Sequence, residues 1–179
     1  MLDFVNTGVF AGANRESDIL RSPEVFLAWA READLAHGDT DTASDRPSAM
    51  SRARRLRAAL RAIAEALAAG REPDARALTT LTSAAAVALR SATCRMDGAG
   101  LTWSWNTATV DGVLARIAVS AVDLMRGELV DRIGICPGCG FLLLDTTKNR
   151  TRRWCTMEDC GTQEKMRRYV ARRAAARRQ

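Results

Sequence analysis

The sequence predicts a mainly helical α+β chain. A helical N-terminal domain with one β-hairpin should occupy residues 1–130, and a small cysteine-bearing module residues 131–179. Three observations carry this reading. Apolar residues recur at steps of three and four over several long stretches; one stretch near residue 100 alternates about a turn instead; and four of the five cysteines fall between positions 136 and 160. The 179 residues are 47% hydrophobic but only 5% aromatic, which suits an aliphatic, helix-leaning core.

The elements follow in order. SPEVFLAWAREADL (22–35) opens with Ser22 as N-cap, Pro23 at the first helical position and Glu24 in the first turn. Val25 and Trp29 set its helical phase, with Phe26 and Ala30 beside them. The polar stretch 36–48 reads as a loop, and its lone His37 takes no role. From Arg52 to Gly70, Leu56, Leu60, Ile63 and Leu67 form the stripe of an amphipathic helix that Gly70 stops. Arg52, Arg54, Arg55, Arg57 and Arg61 fall on its other faces, read as a solvated surface, with a second nucleic-acid surface as the alternative. A further helix spans 74–90, with Leu78, Leu81, Ala85 and Leu89 along one side.

Residues 93–106 then alternate about DGAG, which predicts a hairpin with Trp103 and Trp105 packing on one face. Helix returns over 109–127, with Val113, Ile117, Ala121 and Leu124 in phase and Gly127 as its cap. VDRIGIC (130–136) runs extended into the cysteine region, so the domain boundary lies near 127–135.

The net charge of +6 is unevenly placed. Residues 136–179 hold 11 Lys and Arg against 4 Asp and Glu, whereas residues 1–135 hold 16 against 17. A basic C-terminal end points to a polyanionic partner, nucleic acid before anionic lipid; a solvated tail is the plainer alternative. The start shows no export signal, and no run approaches the ~20 apolar residues of a membrane span, which predicts a cytoplasmic protein with no membrane partner.

The cysteine spacing is C-x2-C, fifteen residues, then C-x4-C. CPGC places Cys136 and Cys139 in a knuckle; FLLLD and RRWC read as the arms of a hairpin around TTKNRT; Cys155 and Cys160 then precede a helix. Four thiolates in a tetrahedron satisfy one structural zinc ion, and the order knuckle, hairpin, ligand-bearing helix is that of a treble clef. Disulfides suit secreted chains, and a redox pair would open a helix after a strand. Cys94 reads as an ordinary buried thiol. A closed four-sulfur shell leaves no place for water, no histidine-based dyad or glycine-rich phosphate loop is present, and acid pairs such as Asp39 and Asp41 sit in a polar loop. The chain is therefore not read as an enzyme.

A segment of this size buries too little to fold alone, so the metal holds it while it presents positive charge. The residues expected to contact nucleic acid, DNA before RNA, are Lys148, Arg150, Arg152 and Arg153 near the tip and Lys165, Arg168 and Arg172 along the helix. Met166 and Val170 are expected to face the hairpin, and Trp154 to pack the finger against its helix. A protein-binding adaptor remains the alternative.

CPGCGFLLLDTTKNRTRRWCTMEDCG resembles the CGNR zinc finger, and LDFVNT (2–7), with a tryptophan-bearing helix some twenty residues on, resembles the start of the ABATE domain that precedes it. The resemblance implies a stress-induced bacterial transcriptional regulator. The N-terminal domain is read as one that senses a small-molecule effector or forms a homodimer. One departure stands out: Thr162 and Gln163 follow Cys160-Gly161 where the family has Asn-Arg. Asp3, Asn6 and Thr7 are left between two roles, a buried polar network or the lining of an effector pocket.

Overall fold

The computed structural model describes residues 1–11, 18–39, 48–98 and 100–176; Asp41 and the last three residues lie outside these. The N-terminal domain is built from α1 (Leu2–Ala11), α2 (Pro23–Glu32), α3 (Ala49–Ala68), α4 (Ala75–Ser91), a hairpin of β1 (Thr93–Asp97) and β2 (Gly100–Ser104), and α5 (Val110–Arg126). The C-terminal module follows with β3 (Ile133–Ile135), β4 (Leu142–Leu144), a π-helical turn over Met157–Gly161, and α6 (Thr162–Ala176).

Side-chain caps set three helix starts. Ser22 accepts from the Val25 N–H ahead of α2, Asp74 from Arg76 and Ala77 ahead of α4, and Thr109 from Gly112 ahead of α5. Each satisfies amide groups that the first turn otherwise leaves unbonded, for about 1 kcal/mol apiece. At the far end of α3, Gly70 takes φ 64, the left-handed conformation that stops a helix.

Helix α3 lies at the centre and buries Leu56, Leu60 and Ile63, the stripe its spacing predicts. Phe4, Leu20, Phe26, Leu27, Val113 and Ile117 close around it. Two helices turn a different face inward than their leading residues suggest. In α2 the buried residues are Phe26, Leu27 and Ala30; Trp29 is half-buried, its ring 5.9 Å from Phe4 and 5.8 Å from Phe26. In α4 the inward residues are Ala77, Leu81 and Ala88, while Leu78 and Leu89 are exposed. Alanines let α4 approach α3 and α5 closely, and that fit outweighs burial of the larger leucines.

Three of the α3 arginines tie the helix to other elements, while Arg55 stays exposed and, like Arg61, bonds only along the helix itself. Arg52 holds Asp111 with bonds of 2.7–3.1 Å, and Arg54 donates to the Leu20 carbonyl at 2.6 Å. Arg57 grips Asp18 through two bonds of 2.7 and 2.6 Å. Arg61 pairs with Glu65, and Arg55 bonds Ser51.

The β1–β2 hairpin has the expected register, Thr93 opposite Ser104 through Asp97 opposite Gly100, with Gly98 at φ 59 in the turn. It packs less than expected. Every residue of both strands is exposed, Trp103 and Cys94 included. Only Trp105, beyond the strand, turns inward, where its indole N–H donates to the Ala88 carbonyl at 2.8 Å.

Candidate metal centre

The C-terminal hairpin is not formed by the arms the sequence suggests. Leu142–Leu144 pairs backward with Ile133–Ile135, Ile133 opposite Leu144, so the hairpin encloses CPGC instead of following it. Residues 151–153 form no strand. Asp145 supplies the physical reason. Its buried carboxylate accepts from the Thr147 N–H at 2.8 Å and hydroxyl at 2.6 Å, and from the Arg152 N–H at 2.9 Å. The amide that a returning strand would offer is thereby spent on closing the loop. These bonds, with Thr147 first and the Arg132 charge adding to them, hold the Asp145 carboxyl below the ordinary aspartate value.

The knuckle closes in the same way, from the backbone. Cys136 N–H donates to the Phe141 carbonyl at 2.7 Å, and Gly140 N–H to the Cys136 carbonyl at 2.8 Å, with Gly140 at φ 76. A Cβ at Gly138 would lie 3.0 Å from both Cβ and Sγ of Cys160, so the glycine clears room for the fourth sulfur. Cys160 comes from the π-helical turn, which Thr156 caps by accepting from Asp159 N–H. Trp154 packs between the knuckle and the helix start, within 3.7 Å of where a Gly138 side chain would stand and 3.4 Å of one at Gly161.

The sulfurs of Cys136, Cys139, Cys155 and Cys160 all lie within 4.8 Å of one another. Cys139 and Cys155 are 3.5 Å apart, Cys155 and Cys160 3.6 Å. A tetrahedral zinc ion with sulfur at about 2.3 Å spaces its ligands by roughly 3.8 Å, whereas a disulfide requires about 2.05 Å. The set suits one zinc ion. Burial and neighbouring sulfurs divide the thiols. Desolvation opposes ionisation of Cys136, but backbone bonds from Cys155, Gly138 and Cys139 outweigh it and bring its pKa to about 6. The Cys155 side chain first, then burial and the other two thiols, push Cys160 up, and burial foremost raises Cys139. Four thiolates side by side need a cation among them.

Residues 1–128 match the ABATE model, described as "Putative stress-induced transcription regulator". The chain belongs to the ABATE family. Residues 132–173 of this ABATE protein match the CGNR zinc finger, the segment that holds the four cysteines. A comparison with curated proteins returns no match. Among the described residues no helix is long and apolar enough to cross a membrane.

The seven cationic residues singled out in the sequence divide into two kinds. Arg152 is turned into the finger, where its guanidinium donates to the carbonyls of Leu144, Trp154 and Cys155, the last at 2.7 Å. Arg150 pairs with Asp131 at 2.8 Å, and Arg168 with Glu164 at 2.8 Å. Lys148, Lys165 and Arg172 are exposed and make no ion pair among the described residues. Arg153 is exposed with its guanidinium 5.8 Å from the centre of the Trp154 ring. Met166 and Val170 face solvent instead of the hairpin, 56% and 60% exposed, and every residue from Lys165 to Arg173 is exposed.

LDFVNT lies in the first matched segment and reaches the second through Asn6. The buried Asn6 donates to the Leu142 carbonyl at 2.9 Å and accepts from its N–H at 2.8 Å. Its amide thus completes the free edge of β4 as a neighbouring strand would. Thr7 donates to the Phe4 carbonyl at 2.6 Å and accepts from Arg57 at 3.2 Å, which joins it to Asp18. Asp3 is exposed and stands outside this network. Asp3, Asn6 and Thr7 line one wall of a groove of about 1210 Å³ whose other wall includes Cys139, Cys155, Cys160 and Gln163. The sequence assigns no role to Asp145 or Asp18, and it places Arg57 on a solvated face and not against Asp18. An Asp two residues before a Thr in a polar turn was the available signal for the first; the second pair is 39 residues apart and gave none.

Proposed function

We propose that this ABATE protein is a DNA-binding transcriptional regulator whose zinc-held finger engages the duplex while its N-terminal domain senses an effector or dimerises. The observation that carries the reading is the exposure of α6: a helix anchored at the zinc site through Cys160, with Lys165 and Arg172 on its surface and Lys148 and Arg153 on the adjoining loop. Cationic side chains on a rigid support meet phosphates without ordering the backbone beneath them and release counterions. We also read the finger as a treble clef, from its knuckle within a hairpin and its ligand at a helix start. Arg152 leaves the contact set, because its donors hold the finger's own carbonyls.

The test is a gel-shift titration over a range of salt with the zinc-loaded protein. Charge reversal at Arg153, Lys165 and Arg172 is expected to abolish retention at moderate salt and to flatten the salt slope by about 0.9 per lost phosphate contact. Zinc content should be unchanged. Retention equal to the native protein's at every salt would defeat the proposal.

One observation favours a second reading. Met166, Tyr169 and Val170 are exposed on the same helix, as suits a partner protein with an acidic, apolar groove. A complex captured through α6 that survives nuclease treatment, from a chain that does not shift DNA, would select that adaptor reading. An effector in the groove beside the finger would find Asp3 and Gln163 available, Asn6 and Thr7 being already bonded.

A further inference from the structure

We propose that the β2 edge is a homodimer seam: two copies of the chain pair β2 against β2 in an antiparallel, two-fold arrangement centred on Thr102, making a four-stranded sheet. The hairpin is the least supported element of the N-terminal domain. All ten of its strand residues are exposed, and among the described residues the sheet has two strands only. Two strands without a packed face are marginal in water; further strands are what such a hairpin lacks.

The faces are sorted by kind. Register and alternation place Cys94, Met96, Leu101 and Trp103 on one side, and Thr93, Arg95, Asp97, Thr102 and Ser104 on the other. Met96, Leu101 and Trp103 are 68%, 64% and 45% exposed. Pairing along the β2 edge sets Leu101 and Trp103 beside their counterparts and leaves the face itself turned outward.

Charge decides which edge pairs, and with what. The outer strand β1 carries Arg95 and Asp97, the kind of side chains that keep an edge from joining another. The strand β2, GLTWS, carries no charge and no proline. Its sequence also suits a two-fold axis through Thr102. Gly100 then faces the partner's Ser104, Leu101 the partner's Trp103, and Thr102 its own copy. Both aliphatic–aromatic pairs fall on the apolar side, and the charged residues stay at the two outer edges with no like charges opposed. A partner of another kind has no such constraint to satisfy; a second copy meets all of it. The seam is short. A standard stable interface buries about 800 Å² per partner, so the dimer is expected to dissociate in the micromolar range.

The inference does not rest on DNA binding, and a monomer that shifts DNA would leave that reading standing. The experiment is sedimentation velocity on the full zinc-loaded chain from about 1 to about 100 µM. The native protein is expected to move from monomer to dimer mass across this range. Thr102→Lys places two cations on the axis and should keep the chain monomeric, with its melting curve and zinc content unchanged. Because a charge on an exposed strand could also loosen the hairpin, a second variant fixes the geometry. Thr102→Cys in a Cys94→Ser background should be joined into covalent dimer by a short bis-maleimide, whereas Arg95→Cys in the same background, on the outer edge, should not. A native chain that stays monomeric throughout, or equal crosslinking from both positions, would overturn the proposal.

Discussion

The two parts of this chain are held by different physics. One cluster joins the five helices of the N-terminal domain through side chains such as Phe4, Phe26, Leu60, Ile63 and Ile117, all nearly inaccessible to water, and it also takes in Ile133 and Leu142 of the β3–β4 hairpin. In the finger the corresponding cluster contains only Cys136, Leu143 and Cys160 as buried members, with Phe141, Trp154 and Cys155 packed around them. Two of those three buried residues are metal ligands. Buried apolar surface, at about 25 cal/mol per Å², is what holds the first region. The cysteine loops bury little of it and are closed instead around the clustered sulfurs and by the carboxylate of Asp145. The Asn6 amide, paired with the backbone of Leu142, is a polar link between the two.

The widest separation between the two should come from metal removal. Binding of a structural zinc ion contributes about 10–16 kcal/mol in small thiolate sites. Chelation is therefore expected to unfold the cysteine loops and α6, while α2 to α5 and the β3–β4 hairpin that packs on them through Ile133 and Leu142 keep their protection, as read by amide hydrogen exchange. Loss of protection in both parts together would merge them into one unit. Leu60→Ala reverses the roles. The buried leucine lies at the centre of α3, and its truncation should lower N-terminal stability by about 2–5 kcal/mol, with zinc stoichiometry unchanged.

Asn6→Ala sharpens the comparison at the joint. It strands one buried N–H and one buried C=O of Leu142, at about 1–3 kcal/mol for each group. The finger is expected to lose protection at β4 and to release zinc faster, and the N-terminal melting temperature should shift little. An unchanged zinc off-rate would remove Asn6 as the link.

The smallest effect belongs to the Asp18–Arg57 pair. The Arg57 hydrogen bonds, ahead of a lesser opposing cost of burial, hold the Asp18 carboxyl below its ordinary value. Its stabilisation is therefore complete above the unfolded value near 3.8 and disappears as pH falls through the lower folded value. Asp18→Asn should cost about 1–2 kcal/mol at neutral pH and nothing once both forms are protonated. Equal melting temperatures for the two proteins at pH 7 would contradict the assignment.

Where periodicity and covalent spacing dominate, the sequence was informative. The stripe Leu56, Leu60, Ile63 and the cap Ser22 are local, and α3 and α2 follow them. The C-x2-C and C-x4-C spacings brought four sulfurs together for the same reason, since ligand chemistry tolerates few arrangements. Legibility failed where a distant partner chose between equivalent local options. Leu78 and Leu89 mark a helix but not which face of α4 meets α5; the alanines do. FLLL announces a strand without saying whether it pairs forward or backward, and Asp145 settles that by taking the Arg152 amide. Arg152 itself reads as a surface cation until the carbonyls of Leu144, Trp154 and Cys155 are seen around it.

The most direct test of the contrast between these regions is X-ray absorption at the zinc edge on purified, metal-replete protein, with metal content measured on the same sample. The account predicts one zinc per chain surrounded by four sulfur atoms at about 2.3 Å. A well-folded finger with no bound metal, or a zinc shell containing fewer than four sulfurs, would contradict it.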